Sequence, residues 1–408
     1  MRFELFIANR MKSGRGGNTN RTPSLNIAVV GMTMAIFIML LSLMIVQGFK
    51  NEISNKLYSL DSHIKITPFH YNPDASGIIK VDFELTNLIQ NTDSQITDIS
   101  LAVEKSVVLK TSDNFKGLYF KGVDSNYNWN YLNSVMIDGC APDFSTTPNG
   151  VILSKNNADK LKLKIGDKIR TYFIGESVKT RNLVLTGVYK SDLEDFDNNY
   201  ILGDINLLRG VGGIQSNECN YIGLNCKDYS RIEEITLSLN NAINNSRFGE
   251  YLLVTNTIIQ NTGYFTWLEL LDMNVIVIIV IMLIVTSFTL IAGMLMIVLE
   301  KVNMIGVLKS MGSSNHSISK IFIYATNKLI LKSMLVANIL AALFYIVQNR
   351  YHLITLDAEA YYMSYVPVSY DWIYILLLNV GVVLVSYLTL LIPSRIVSSI
   401  SPSKSIKF

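Results

Sequence analysis

MNVIVIIVIMLIVTSFTLIAGMLMIVL, Met273 to Leu299, is an uncharged apolar run of 27 residues. Wound as an α-helix it is about 40 Å long, more than a bilayer hydrocarbon core of roughly 30 Å. It reads as a membrane span. The chain continues without a break into EKVNMIGVLKSMGSSNHSISKIFIY, Glu300 to Tyr324, where charge returns and Gly306, Gly312 and Ser313-Ser314-Asn315 give turn signals. Met304, Ile305, Val307, Leu308 and Met311 recur at helical spacing with Lys309 on another face, which predicts a short amphipathic helix. Such a helix either lies against lipid headgroups or is gripped by a partner protein.

Working outward, half of the 408 residues are apolar, too many for one soluble domain and too few for a chain wholly inside a membrane. Uncharged runs place four spans at 25–48, 273–299, 321–348 and 372–393. Lys328 and Lys332 sit four residues apart near the start of the third, where long stems snorkel to the interface. Charge then sets the orientation. Residues 1–24, 300–332 and 393–408 hold 13 Lys and Arg against 2 Asp and Glu, whereas 50–272 holds 21 against 27. The loop at 349–371 holds one against three. Basic segments stay in the cytoplasm, so both termini are expected inside and the large loop outside. The net charge of +3 hides this asymmetry and gives no reason to expect nucleic acid.

The order of segments follows: an interfacial piece at 1–24 with a flexible basic linker at Ser13–Gly17, an outer α/β domain with helical stalks at 49–272, a cytoplasmic segment at 300–320, a short outer loop at 349–371 and a tail at 394–408. Phe49, Ile53 and Leu57 repeat every four residues and carry the first helix outward before a strand. Leu101–Lys110 and Phe115–Val123 read as strands around the turn Ser112-Asp113-Asn114. Residues 149–173 then read as strand, helix, turn and strand, with Gly166-Asp167 as a hairpin-type turn. Ser230-x-x-Glu233 has the form of a capping box opening a helix that ends near Asn244. Asp192, Glu194, Asp195 and Asp197 lack the order of a calcium loop and read as a solvated acidic loop.

Several chemistries have no residues to carry them. There is no phosphate-binding Gly-rich loop with Lys-Ser/Thr, no Gly-x-Ser-x-Gly elbow and no His-Glu-x-x-His. His63 has only His70 near it and is expected in a strand rather than on a metal. Cys219 and Cys226, set at the ends of one strand, would be about 23 Å apart, so free thiols are predicted.

The string E-K-x-N-M-I-G-V-L-K-S-M-G-S followed by I-x-x-I-F resembles the segment after the second membrane helix of FtsX-like ABC-transporter permeases, among them the lipoprotein-releasing permeases and the membrane half of MacB. Gly48, Phe49, Glu52, Ile53, Lys56 and Leu57 with His63 and Ile64 resemble the stalk of the lipoprotein-releasing branch, and 150–169 resembles an element of the MacB-like periplasmic core. The end, Pro393 to Phe408, is similar to family tails. The resemblance implies four transmembrane helices plus a large α/β periplasmic domain between helices 1 and 2, in the inner membrane of a bacterium. It also implies that Glu300, Ile305, Gly306, Val307, Leu308, Lys309, Met311 and Gly312 dock on a separate cytoplasmic ATPase that carries ATP and Mg, with no cofactor on this chain. Met304 stands where many relatives have Glu.

Gly48, Phe49, Glu52 and Ile53 are the stalk candidates; Met39, Met44, Met273 and Val277 are the candidates for a cavity that takes lipid or substrate. Expected partners are a second permease copy or paralogue, lipoprotein substrate, membrane lipid and a periplasmic lipoprotein chaperone. FIGESVKTRN, Phe173 to Asn182, has no proline where one lipoprotein-releasing permease extends a hook to its chaperone. The implied activity is extraction of lipoproteins from the inner membrane. The alternatives are mechanical activation of a periplasmic partner and export of a periplasmic small molecule or peptide.

Overall fold

Residues 3–10, 23–70, 77–175 and 178–398 are described in a computed structural model. The linker Ser13–Gly17, the centre of the 173–182 loop and the tail beyond 398 lie outside them. In chain order, α1 (Phe3–Arg10) and α2 (Pro23–Leu60) precede β1 (Ile64–Pro68), β2 (Ile79–Lys80), α3 (Phe83–Thr92), β3 (Ile96–Lys110) and β4 (Phe115–Val123). Then come α4 (Asn130–Ser134), β5 (Met136–Gly139), β6 (Gly150–Ser154), α5 (Lys155–Leu161), β7 (Lys168–Phe173), β8 (Lys179–Tyr189), α6 (Glu194–Asn199) and β9 (Tyr200–Asp204). The outer region finishes with α7 (Ile205–Gly212), β10 (Glu218–Cys219), β11 (Tyr221–Cys226), α8 (Ile232–Asn244), β12 (Leu252–Asn256) and α9 (Thr257–Gln260). Last are α10 (Thr262–Glu300), α11 (Val302–Ser310), α12 (Asn315–Tyr351), α13 (Ala358–Tyr361) and α14 (Trp372–Ser398).

The chain divides into two units: a helical one built from residues up to Asn51, Trp267–Thr355 and Tyr365 onward, and an α/β one built from Glu52–Thr266 with Leu356–Ser364. In the α/β unit the strand β3 is the branch point. One edge of β3 pairs with β4, while its other edge pairs with β11 near the start and with β7 near the end. The pairings β3-β4-β9-β6-β8-β7 return to β3 and close a ring of six strands; β11, β1 and β12 extend from it as an open sheet. Inside the ring lie Val107, Leu109, Leu118, Phe120, Val151, Leu153, Ile169, Phe173, Leu183 and Leu185, all buried in one apolar cluster. In β7 and at Leu183 and Leu185 of β8 they alternate with less buried residues, the period of two of half-buried strands, whereas β6 is buried on both faces.

Two local expectations change. Gly166-Asp167 turns the chain from α5 into β7, whose partners are β3 and β8, so the turn joins a helix to a strand and closes no hairpin. The Ser230/Glu233 box does not form: the chain enters α8 through a 3₁₀ turn at Tyr229–Arg231, and Asp228 accepts from the Ser230 amide instead. An Asx turn with a shorter reach wins over the Ser cap.

In the helical unit, Asn26–Leu60, Thr262–Glu300, Asn315–Tyr351 and Trp372–Pro393 are long and apolar enough to cross a membrane. Two buried clusters hold this unit together. One joins Ala28 and Met32 of α2 to Leu290, Met294, Ile297 and Val298 of α10 and to Ile318, Ile321 and Phe322 of α12. The other joins Ile36, Met39, Leu40 and Met44 of α2 to Ala337 and Ala341 of α12 and to Ile375 and Val382 of α14. The α1 helix belongs here too: Ile7 packs on the first cluster and the Ser317 hydroxyl donates to Glu4 at 3.4 Å.

Candidate functional site

The helix α10 runs to Glu300 and breaks at Lys301, whose φ of −112° and ψ of 19° leave the helical region. After α11, Gly312 adopts φ +88°, its amide donates to Lys309 O at 3.0 Å, and the Ser313 amide donates to Leu308 O at 3.0 Å. This is a Schellman ending, for which glycine in the left-handed region is the preferred residue. Ser314 then caps α12 by accepting from the Ser317 amide at 3.2 Å. The segment is therefore a tight helical hairpin, and Gly312 with Ser314 is the sequence signal for it.

The apolar face expected on α11 is divided. Ile305, Gly306 and Leu308 are buried, and Ile305 and Leu308 belong to the cluster that includes Met294, Ile297, Ile318 and Phe322 of the same chain. Their side chains pack within the chain's own bundle. Asn303, Val307, Ser310 and Met311 are exposed, at spacings of four, three and one, which line one stripe of a helix. Val307 is 52% and Met311 76% exposed. Lys309 is half-buried, and Glu300 is exposed at the end of α10.

The stalk candidates are placed by packing. A Cβ on Gly48 would lie 2.4 Å from the Pro367 carbonyl oxygen, so only glycine lets this backbone approach. Alongside it the Ser369 amide donates to Met44 O at 3.0 Å and Asn51 Nδ2 donates to Ser369 Oγ at 3.2 Å. Phe49 meets Trp267 edge-on at 6.1 Å, and Lys50 pairs with Asp272 at 2.7 Å. Gln348, buried, donates to Ile354 O and Val366 O and accepts from the Ile354 amide, tying the base of the 349–371 loop. Of the other two stalk candidates, Ile53 is fully buried and Glu52 half-buried.

The cavity candidates are not brought together. Met39 and Met44 are fully buried in the α2–α12–α14 cluster, while Met273 and Val277 stand 59% and 53% exposed on α10. A groove of about 400 Å³ does exist in the helical unit, between α10 and α14, lined by Val280, Ile284, Phe288 and Val385. At its floor the Thr389 hydroxyl donates to Ser287 Oγ at 3.0 Å.

In the α/β unit, Asp61 lies 2.5 Å from Lys65 and 2.8 Å from Lys121, whose side chain is 2% exposed. Burial pushes the Asp61 carboxyl up, but the two ammonium groups and their hydrogen bonds outweigh it and hold the group well below the carboxylate range. Lys56 is likewise buried and donates to Ser191 O at 3.2 Å and Tyr362 O at 2.9 Å. Asp61 and Lys65 are four residues apart, but Lys121, Ser191 and Tyr362 come from distant segments, so the local sequence does not announce either cluster. The acidic loop is only partly solvated: Asp197 is buried and accepts from the Ser191 amide and hydroxyl, Asp192 pairs with Lys190 at 2.8 Å, and Glu194 and Asp195 are exposed.

His63 precedes β1, and its Nδ1 accepts from the Cys226 amide at 2.9 Å. Among the described residues no group of three His, Cys, Asp or Glu side chains is placed to hold a metal. All three cysteines are free; burial pushes the Cys219 thiol up to about 12 and Cys226 up to about 11.

Comparison with known proteins adds the following. Residues 26–242 match the MacB-like periplasmic core domain and residues 276–402 match the FtsX-like permease C-terminal region. The chain is 19% identical to the lipoprotein-releasing system transmembrane protein LolC of Neisseria meningitidis serogroup B, over 94% of this chain and 93% of that one. It is 19% identical to the corresponding LolE of Haemophilus influenzae, over 99% of each. Among solved structures, the extracellular domain of the ABC-type transporter YknZ from Gram-positive bacteria aligns at 18% identity over 47% of this chain and 99% of its own, with a TM-score of 0.33.

Proposed function

The chain belongs to the FtsX-like ABC transporter permease family, with a MacB-like periplasmic core domain after its first span, and from that premise we propose that it releases lipoproteins from the inner membrane. In this reading a separate cytoplasmic ATPase docks on the hairpin of α11 and α12, both termini lie in the cytoplasm, and the permease works as a dimer with a second copy or a paralogue. The full-length similarity to two lipoprotein-releasing proteins supports this choice over the other family activities. Physical need supports it as well. Each acyl CH₂ contributes about 0.8 kcal/mol to membrane retention, so an acylated protein leaves only through a device coupled to an energy source.

The docking residues in this reading follow from exposure on the hairpin. Ile305 and Leu308 anchor α11 to its own bundle, and the stripe Asn303, Val307, Ser310 and Met311 faces the ATPase. The groove between α10 and α14 is a place for an acyl chain, because its lining is almost wholly apolar.

Val307→Asp with Met311→Asp tests the docking half. Two side chains that each lose about 1.5 kcal/mol of burial weaken ATPase association by roughly a hundredfold, read by co-purification from membranes, while the bundle's thermal stability is unchanged. Normal recovery of the ATPase would defeat that assignment. Depletion of the permease tests the substrate half: lipoproteins accumulate in the inner-membrane fraction. Normal lipoprotein sorting with altered cell-wall cleavage or drug tolerance would favour mechanical activation or export instead.

A further inference from the structure

The α/β unit holds a cavity of about 330 Å³ with aromatic walls, bordered by Leu57 and Leu60 at the end of α2. The Tyr119 and Tyr200 rings lie 5.9 Å apart, Phe196 stacks on Tyr200 at 5.2 Å, and Tyr264 also lines the space. Aromatic faces are electron-rich and attract cations.

The polar lining points to the same ligand chemistry. Asn199 Nδ2 donates to Asp195 O at 2.8 Å, Gln260 Nε2 to Thr255 Oγ1 at 2.9 Å, and Asn261 Nδ2 to Thr257 O at 2.9 Å. One N–H of each amide is held in these bonds, which leaves the three side-chain oxygens and one N–H apiece for a ligand. Asp195 Oδ2 accepts from the Tyr264 hydroxyl at 2.9 Å, and among the described residues no Lys or Arg pairs with Asp195. Lys65 is the one cation in the lining; it is held 2.5 Å from Asp61 and sits 4.7 Å from the Tyr221 ring centre. The cavity thus presents amide oxygens, aromatic faces and, in Asp195, a carboxylate with no Lys or Arg partner among the described residues, while Lys65 shares Asp61 with Lys121.

We infer that this cavity binds the guanidinium or ammonium group of a basic side chain on a peptide segment of a partner protein. The mouth supports a peptide over a free amine: Tyr119 and Asn199 are exposed there, so a side chain enters while its backbone stays outside. The charge of the region agrees. Residues 50–272 carry 21 Lys and Arg against 27 Asp and Glu, a field that draws a basic partner. The inference holds whatever cargo the permease moves.

The test uses the full chain in detergent and a fluorescein-labelled Gly/Ser peptide with one central arginine, set against the same peptide carrying neutral citrulline. The arginine peptide is expected to bind at least tenfold more tightly at low ionic strength. Asp195→Asn and, separately, Tyr119→Ala each remove most of that preference. Both side chains are exposed, and unchanged melting of each variant shows that the fold is kept. Equal binding of the two peptides, absence of binding by either, or wild-type affinity in both variants would overturn the site. Arginine amide binding as tightly as the peptide would overturn the peptide partner and assign the cavity to a small amine.

Discussion

The two units of this chain use apolar residues in opposite ways. In the α/β unit the large aliphatic residues of the strand ring point inward, and the exposed ones are scattered. In the helical unit Ile276, Val280, Ile284 and Phe288 form an apolar face along α10 that is about half exposed or more. The difference is one of solvent. Water drives apolar area out of sight, whereas lipid does not, so helix pairing in a membrane relies on close packing and on the few polar groups present. Buried polar contacts follow suit. The α/β unit buries charges such as Lys121, Lys56 and Asp197, while the helical unit keeps its ion pair Lys50–Asp272 part-exposed and joins its spans deeper in with uncharged pairs: Asn338 with Asn379, Ser287 with Thr389, and the Ser333 hydroxyl with Val29 O.

The largest effect that distinguishes the units is expected at Asp61. Its removal takes away the carboxylate 2.8 Å from the buried Lys121 ammonium, and breaking such a pair costs about 3–5 kcal/mol. Domain stabilities are about 5–15 kcal/mol, so Asp61→Ala should expose the α/β unit to protease well below the wild-type melting temperature. Asp61→Ala combined with Lys121→Met should recover a large part of the loss, since the isolated charge is gone. If Asp61→Ala melts like the wild type, the charge cluster is solvated and the contrast between the units weakens.

How far the sequence alone reaches also differs between the units. The spans are legible because twenty or more uncharged residues have no other stable place. The β4 boundaries are legible because its residues lie between turn residues, and the expected Phe115–Val123 is found unchanged. The dual pairing of β3 was hidden: Ile96–Leu101 and Val107–Lys110 share one strand but face different partners, and no local pattern says so. On α11 the periodicity correctly marked the helix, but it could not tell an apolar residue buried by its own bundle from one left for a partner. Ile305 and Val307 look alike in the sequence and differ from fully buried to half exposed.

The next contrast is smaller and lies in the helical unit. Asn338 Nδ2 donates to Asn379 Oδ1 at 3.0 Å, Asn379 Nδ2 returns a bond to Asn338 Oδ1 at 3.1 Å, and each amide also donates to a carbonyl four residues earlier. Asn338→Leu should destabilise the α12–α14 pairing by about 1 kcal/mol, in the range of hydrogen bonds between membrane helices. Asn379→Leu should match it. The double substitution should cost less than the two singles together, because neither amide is then left unpaired. A thermodynamic cycle measured in detergent checks this; strict additivity would mean that the two amides do not act as a pair.

The smallest effect concerns pH and belongs to the α/β unit. Burial lowers the pKa of His63 below that of an unfolded chain, about 6.5. The neutral ring is the form that accepts from Cys226 through Nδ1, and it meets the stacked pair Tyr58 and Tyr229 edge-on. A depressed folded pKa means that the unfolded chain binds the proton more readily. The stabilisation is therefore complete above about pH 6.5 and is lost as pH falls from there through the folded value. Between pH 7.5 and 5.5 the α/β unit should lose under about 1 kcal/mol, read as a lower protease-resistance temperature. His63→Gln keeps an acceptor without the titration, so its resistance should vary less with pH over that interval. If the wild type and His63→Gln lose stability equally, the acid response comes from other groups, and the neutral ring is not what joins His63 to the β11 edge.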